Sequence, residues 1–372
     1  MDHSSTLGGD QHFKVDSGHI SATRRNVGRA VIVLGSLTLA LVALFNILQD
    51  PQDIAPGAGN WRPVLYAYLF WALTLGVGQV MIRGELGRRA LFVLPALLFT
   101  VAMVIFPTIF GFYIAFTDWN LSAFEGRKFN GLDNFRDLLE DSYFWNSLLN
   151  MVYYSAVVIV EYAIAFGLAL LLNAQIRARK FFRVVFLLPF LLSPVAVSWM
   201  IGKSLMEYRF GPAATLARFL GWDTPAFFAT PWVARISIMV LDAWMFIPFI
   251  MILLLAGLQA MPKDMLEAAR VDGARAWTVF WKIVFPLMLP VSITAIVLRI
   301  IFKLKLADIV INVTSGGPGG ATDTVTSFIY REYRDRSNVG YGTMMAMFYL
   351  IVIIIFMLTL LWLIGRYVRK KY

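Results

Sequence analysis

Seven ionisable side chains lie inside or near the ends of long apolar runs: Glu161, Lys203, Asp242, Arg299, Lys303, Lys305 and Asp308. A charge at the centre of a bilayer costs roughly 2.5–3.5 kcal/mol on insertion scales, so such residues face a water-filled cavity, an opposite charge or the membrane boundary. Nucleophilic and metal chemistry has little to work with. The chain has no cysteine, and its histidines, His3, His12 and His19, all fall in the polar N-terminal stretch. No thiolate, disulfide or histidine ligand can stand within the apolar body, so neither catalytic nor metal-binding residues are expected. What these residues can do is bind. Arg299 and Lys303 are four apart and share a helix face, with Phe302 and Leu306 beside them. On the preceding run Asp242, Met245, Phe246 and Phe249 recur at helical spacing. Helix packing accounts for that face, and so would a ligand: aromatic faces suit apolar surface, carboxylates accept from hydroxyls, and arginine binds sulfonate, phosphate or carboxylate bidentately. Two readings of the cations stand together: they hold an anionic group of a ligand, or they pair structurally with Asp242 or Glu161. Lys305 and Asp308, three apart, could pair with each other. Glu161 reads as a bond between helices, and Lys203 as snorkelling toward the boundary.

The elements that must carry these residues follow from composition. The chain has 372 residues, 59% hydrophobic and 15% charged, the profile of a polytopic membrane protein. Apolar runs lie near 30–48, 63–82, 90–117, 148–173, 184–206, 234–258, 285–312 and 343–365. Each can cross a hydrocarbon core of about 30 Å. The fold class is thus all-α, with about eight transmembrane helices. The net charge of +10 reads as basic residues flanking spans, not as a nucleic-acid surface. Most of the basic residues cluster near 24–29, 83–89, 177–183, 263–282 and 366–371, which places that face and both termini in the cytoplasm. Residues 1–23 read as a disordered tail within an N-terminal segment 1–29, and the run after Arg24, Arg25 and Arg29 as a retained anchor. Segments 118–147, 207–233 and 313–342 read as external loops. The run Gly316-Gly317-Pro318-Gly319-Gly320 lacks the lysine and the strand–helix context of a phosphate-binding loop. Prolines in or at the ends of spans (Pro95, Pro107, Pro189, Pro194, Pro248, Pro286, Pro290) permit bends.

Between the last two pairs of runs lies a polar stretch, Glu267-Ala268-Ala269-Arg270-Val271-Asp272-Gly273-Ala274, followed by Phe280, Ile283, Pro286 and Pro290. Pro262 suits the start of a short helix, with Asp264 and Glu267 near its positive pole. Gly273 offers a break, and a second amphipathic piece runs from Trp277 to Ile283. This helix–Gly–helix hairpin closely resembles the Glu-Ala-Ala loop of ATP-driven importer permeases, in the version found in sugar permeases of the maltose and glycerol-phosphate type. Phe116-Thr117-Asp118-Trp119-Asn120, Gly131-Leu132-Asp133-Asn134-Phe135 and Thr314-Ser315-Gly316-Gly317-Pro318 resemble further segments of that family.

The resemblance implies a six-helix permease core over 90–372, two additional N-terminal helices over 30–89, and a cytoplasmic coupling loop over 259–284. It implies that Glu267, Ala268, Ala269, Asp272, Gly273 and Ala274 engage an ATPase dimer. It also implies that the helices flanking the loop line a sugar site through Asp242, Met245, Phe246, Phe249, Arg299, Phe302, Lys303 and Leu306. Arg299 and Lys303 depart from a neutral-oligosaccharide pattern. The chain would carry no cofactor, ATP and Mg belonging to the partner ATPase. A second permease subunit, a periplasmic solute-binding protein, membrane lipid and a sugar-type substrate complete the expected partners in a bacterial inner membrane. Two other classes compete: an ion-gradient-driven secondary transporter, which predicts internal repeats not evident here, and a membrane enzyme, for which the residues are lacking.

Overall fold

The computed structural model describes residues 21–49, 62–124 and 126–371. Residues 1–20 of the expected tail lie outside the described residues. Among those described, every long element is a helix, and extended pairing is limited to isolated bridges such as Thr117–Phe129. Among the described residues, seven helices are long and apolar enough to cross a membrane. They are α1 (Ala22–Gln49), α2 (Arg62–Arg83), α3 (Leu94–Ala115), α4 (Ser142–Asn173), then α7 (Pro231–Ala260), α9 (Ala276–Leu304) and α11 (Val339–Lys371). Two shorter helices, α5 (Arg179–Leu191) and α6 (Pro194–Leu205), stand where the fifth apolar run reads as one span. They meet at 93°. Pro189 and Pro194 bracket the break, each removing a backbone donor and disfavouring helix in the residue before it. Span length and apolarity were legible, but direction was not.

The chain forms two compact units. One takes the chain as far as Tyr113, with a short stretch near 126–128. Within it α1 and α2 pack closely, and the Trp71 indole donates to Ser36 Oγ at 3.1 Å. The other unit begins at Ile114 and holds α4 to α11. Its core is in two apolar clusters. The first joins Met151 and Tyr154 of α4, Ile238 of α7, Ile300 and Leu304 of α9, and Met345 of α11. The second joins Phe166 and Ala169 of α4, Met251 and Leu254 of α7, and Met288 of α9.

The seventh expected span shifts relative to the sequence reading. α9 begins at Ala276, passes through a wider turn over Phe280–Val284, and runs through Pro290 before ending at Leu304. A π-type turn lets the ladder pass a proline that cannot donate. Because the helix stops at Leu304, Lys305 caps it and Asp308 opens a separate turn, Asp308–Val313. The two do not form the ion pair their spacing allows. The segments read as loops also hold helices, Asp133–Glu140, Pro212–Phe219 and α10 (Val325–Arg334).

The Gly-rich segment folds over a buried carboxylate. Asp323 accepts from Ser327 Oγ at 3.0 Å and from Arg331, while Asn150 Nδ2 donates to its carbonyl at 2.9 Å. Gly316 sits at φ 84°, and a Cβ there would fall 2.2 Å from Asp323 Oδ1, so only glycine fits. Burial pushes the Asp323 carboxyl up from 3.8 to about 6, outweighing the opposing Arg331 charge. A folded-state value above the unfolded one means the native chain holds this proton more tightly. The resulting stabilisation is complete below pH 3.8 and is lost as pH rises through about 6. Asp323→Asn should therefore flatten the fall in unfolding free energy across that window, measured by denaturant titration at several pH values. An identical slope in both proteins contradicts this.

Candidate functional site

α4, α7 and α9 bring four charges together where the sequence left two readings open. Arg299 Nε donates to Glu161 Oε2 at 2.5 Å and its Nη2 to Glu161 Oε1 at 3.1 Å. Lys303 Nζ donates to Glu161 Oε1 at 2.9 Å. Both cations also donate to Asp242 Oδ2. All four side chains are at most 1% exposed. Two cations and two carboxylates sum to zero, and that neutrality is what lets them stay buried in an apolar bundle. Of the two readings, the structure contains the internal ion pair. Glu161 bonds between helices, as its place on α4 suggested, and Lys203 lies exposed near the end of α6.

One face of this cluster is aromatic. The guanidinium carbon of Arg299 sits 4.3 Å from the Phe246 ring centroid, close enough for cation–π attraction. Arg299 Nη1 makes no hydrogen bond. Phe246 and Phe302 lie 5.8 Å apart, Phe249 and Phe302 5.3 Å. Phe190 of α5 completes the group, 5.4 Å from Phe249 and 6.0 Å from Phe246. The sequence reading missed Phe190, because nothing in its spacing shows that the break after it turns the α5 terminus onto α7. Phe302 keeps 40% of its surface exposed, so the aromatic group is open on one side. Of the remaining expected lining residues, Met245 is buried, and Leu306 lies beyond the end of α9 in the first apolar cluster. The structure thus gathers Asp242, Phe246, Phe249, Arg299, Phe302 and Lys303, and leaves Leu306 in the packing of the fold.

The polar stretch after α7 forms the expected hairpin. α8 (Lys263–Val271) follows Pro262, and Asp272 caps it. Gly273 takes φ 70°, the left-handed conformation that closes a helix C-terminus. Its N–H donates to the Arg270 carbonyl and that of Ala274 to the Ala269 carbonyl, both at 3.0 Å. One side of the hairpin is anchored: Ala269 is buried, and Leu266, Val279 and Phe280 pack on the second apolar cluster with α4, α7 and α9. The other side is bare. Val271 is 87% and Trp277 73% exposed, while Glu267, Ala268, Asp272 and Gly273 are exposed and Ala274 half-buried. The second amphipathic piece is not separate from the next span as expected. It forms the opening turns of α9, so the second arm of the hairpin and the span are one continuous helix.

The family described as binding-protein-dependent transport system inner membrane component matches residues 150–370. The trehalose/maltose transport system permease protein MalF of Thermococcus litoralis is 33% identical, over 75% of this chain and 94% of its own length. The sn-glycerol-3-phosphate transport system permease protein UgpA of Agrobacterium fabrum is 32% identical, over 66% of this chain and 82% of its own. The sulfoquinovosyl glycerol transport system permease protein SmoG of the same organism is 29% identical, over 70% and 86%. The crystal structure of a bacterial alginate ABC transporter in complex with an alginate pentasaccharide-bound periplasmic protein contains a chain of the same fold. Its TM-score is 0.63 at 20% identity, covering 82% of this chain and 96% of that one.

The ion cluster makes a quantitative prediction. Glu161→Ala leaves two buried cations facing one carboxylate and should destabilise the protein by about 3–5 kcal/mol. Adding Lys303→Met restores neutrality, so the double variant should recover at least half of that loss. Thermal unfolding of the purified protein measures both; simple addition of the two single-variant losses contradicts the cluster.

Proposed function

We infer the function from family and geometry: this chain belongs to the binding-protein-dependent transport system inner membrane components. It is a multi-pass permease, a transporter component and not an enzyme. We propose that its substrate is a sugar or sugar derivative, supported by the relatives named for trehalose/maltose, sulfoquinovosyl glycerol and glycerol-phosphate transport. Its proposed partners are a separate ATPase dimer that carries ATP and Mg, a second permease subunit and a periplasmic solute-binding protein. The proposed orientation keeps the α8 hairpin and both termini in the cytoplasm, following the distribution of basic residues.

The observation that carries this reading is the half-anchored hairpin. Its outer side offers Val271 and Trp277 to a partner, and its inner side grips α4, α7 and α9. Because the second arm continues into α9 without a joint, a push on the hairpin becomes a tilt of the helix bearing Arg299, Phe302 and Lys303. In the proposed cycle, the loaded binding protein docks on the opposite side and ATP closes the ATPase dimer. The hairpin then carries that closure into a switch between inward- and outward-open states.

Substrate would meet the open aromatic group, with ring carbons against Phe246, Phe249 and Phe302. Asp242, Met245, Arg299, Lys303 and Leu306 complete the proposed set, Met245 and Leu306 as packing behind it. Glu161 and Asp242 already neutralise Arg299 and Lys303, so no anionic group on the ligand is needed to explain those cations. A sulfonate, phosphate or carboxylate would have to draw Arg299 away from its carboxylates, through the nitrogen that now has no bond.

Glu267→Lys tests the coupling role. Docking of the binding protein should persist, whereas ATP-driven uptake in reconstituted vesicles should fall at least about tenfold, the cost of one misplaced charge in a desolvated contact. Full uptake by this variant would remove the hairpin from the mechanism.

A further inference from the structure

The start of α5 carries a charge that the protein does not balance. Arg177, Arg179, Lys180 and Arg183 fall within seven residues, and no Asp or Glu occurs between Glu161 and Glu207. Among the described residues, none of these cations makes an ion pair. The Nε and Nη2 atoms of Arg183 are buried and without a hydrogen bond. Such donors cost about 1–3 kcal/mol if left unmet. The positive pole of the helix adds to the imbalance instead of offsetting it.

The apolar residues of α5 divide between two sides. Phe182, Phe186 and Phe190 recur every fourth position; Phe186 packs on the second apolar cluster and Phe190 on the aromatic group. Phe181, Val184, Leu188 and Leu191 recur at three- and four-residue steps and are all more than half exposed. At 13 residues the helix is about 20 Å long, short of the roughly 30 Å hydrocarbon core. The end that carries the basic residues sits at the level of the headgroups, while the exposed stripe meets acyl chains.

We propose that the start of α5 binds an anionic glycerophospholipid, its phosphate held by Arg179, Lys180 and the one Arg183 nitrogen that is not buried, Nη1, and an acyl chain lying along Phe181, Val184 and Leu188. Charge complementarity selects a lipid with net negative charge over a zwitterionic one, at about 1 kcal/mol per basic residue near the surface. The apolar stripe selects a lipid over free phosphate. The same helix ends in Phe190, so the bound lipid steadies one wall of the aromatic group.

Native mass spectrometry of the full chain, purified in mild detergent and offered equal phosphatidylglycerol and phosphatidylcholine, tests this. The wild type should retain phosphatidylglycerol in at least about tenfold preference, from the per-residue figure above. Millimolar inorganic phosphate should not displace it. The triple variant Arg179→Gln, Lys180→Gln, Arg183→Gln should lose the preference, while Arg88→Gln with Arg89→Gln, an exposed basic pair elsewhere, should keep it. Equal retention of both lipids by the wild type overturns the proposal without recourse to any variant. So does equal loss in the control pair, or displacement by phosphate alone. Loss of an ATPase subunit from the triple variant with lipid retention unchanged would assign the patch to a protein partner and overturn it as well.

Discussion

Four charges buried in an apolar bundle must cancel, and much of the second unit's arrangement depends on that cancellation. Glu161, Asp242, Arg299 and Lys303 come from three helices, and the burial of each is offset by the opposite charges of the others. The cluster therefore fixes the rotation of α4, α7 and α9 about their axes as well as their approach. Apolar packing alone would tolerate small rotations; paired charges with named oxygens do not. Tyr162 donating to Ser292 at 2.8 Å ties α4 to α9 a second time, toward the hairpin. The same register points Phe246, Phe249 and Phe302 to one side, where they meet Phe190.

The hairpin and the aromatic group stand at two ends of one packed set of helices. The second apolar cluster joins Leu266 and Phe280 to Phe166, Met251 and Met288, and the ion cluster stands further along the same three helices. A movement imposed at the exposed end passes into α9 as one continuous helix; the wider turn at Phe280–Val284 changes its pitch without ending it. The break lies in the neighbouring pair instead. The 93° corner between α5 and α6 is where the wall beside the aromatic group can bend while the α4–α7–α9 body stays intact.

Much of this was legible in the sequence. Apolar runs located seven spans, although α1 starts earlier than its run and α9 is displaced toward the N-terminus, and Gly273 between two amphipathic pieces gave the hairpin, because a left-handed turn needs that residue type. Charge spacing brought Arg299 and Lys303 to one face and left two readings open. Only the positions of Glu161 and Asp242 in space chose between them, and those positions come from the packing of α4 and α7. The α5–α6 corner was hidden because length and apolarity do not encode direction, although Pro189 and Pro194 marked the place. Phe190 was missed for the same reason. Lys305 and Asp308 could pair at helical spacing, but α9 ends at Leu304, before the end of its apolar run, and the two fall outside one helix.

The central claim is that the α8–α9 hairpin is a cytoplasmic contact that moves with a separate ATPase. The chain has no cysteine, so Val271→Cys supplies a single addressable site at the bare tip. In sealed right-side-out vesicles containing the assembled complex, this cysteine should resist a membrane-impermeant thiol reagent added outside. Carrying a photo-activated cross-linker, it should join the ATPase subunit, with a yield that changes on adding ATP. Ready labelling from outside, or no cross-link to the ATPase in either nucleotide state, would contradict the account.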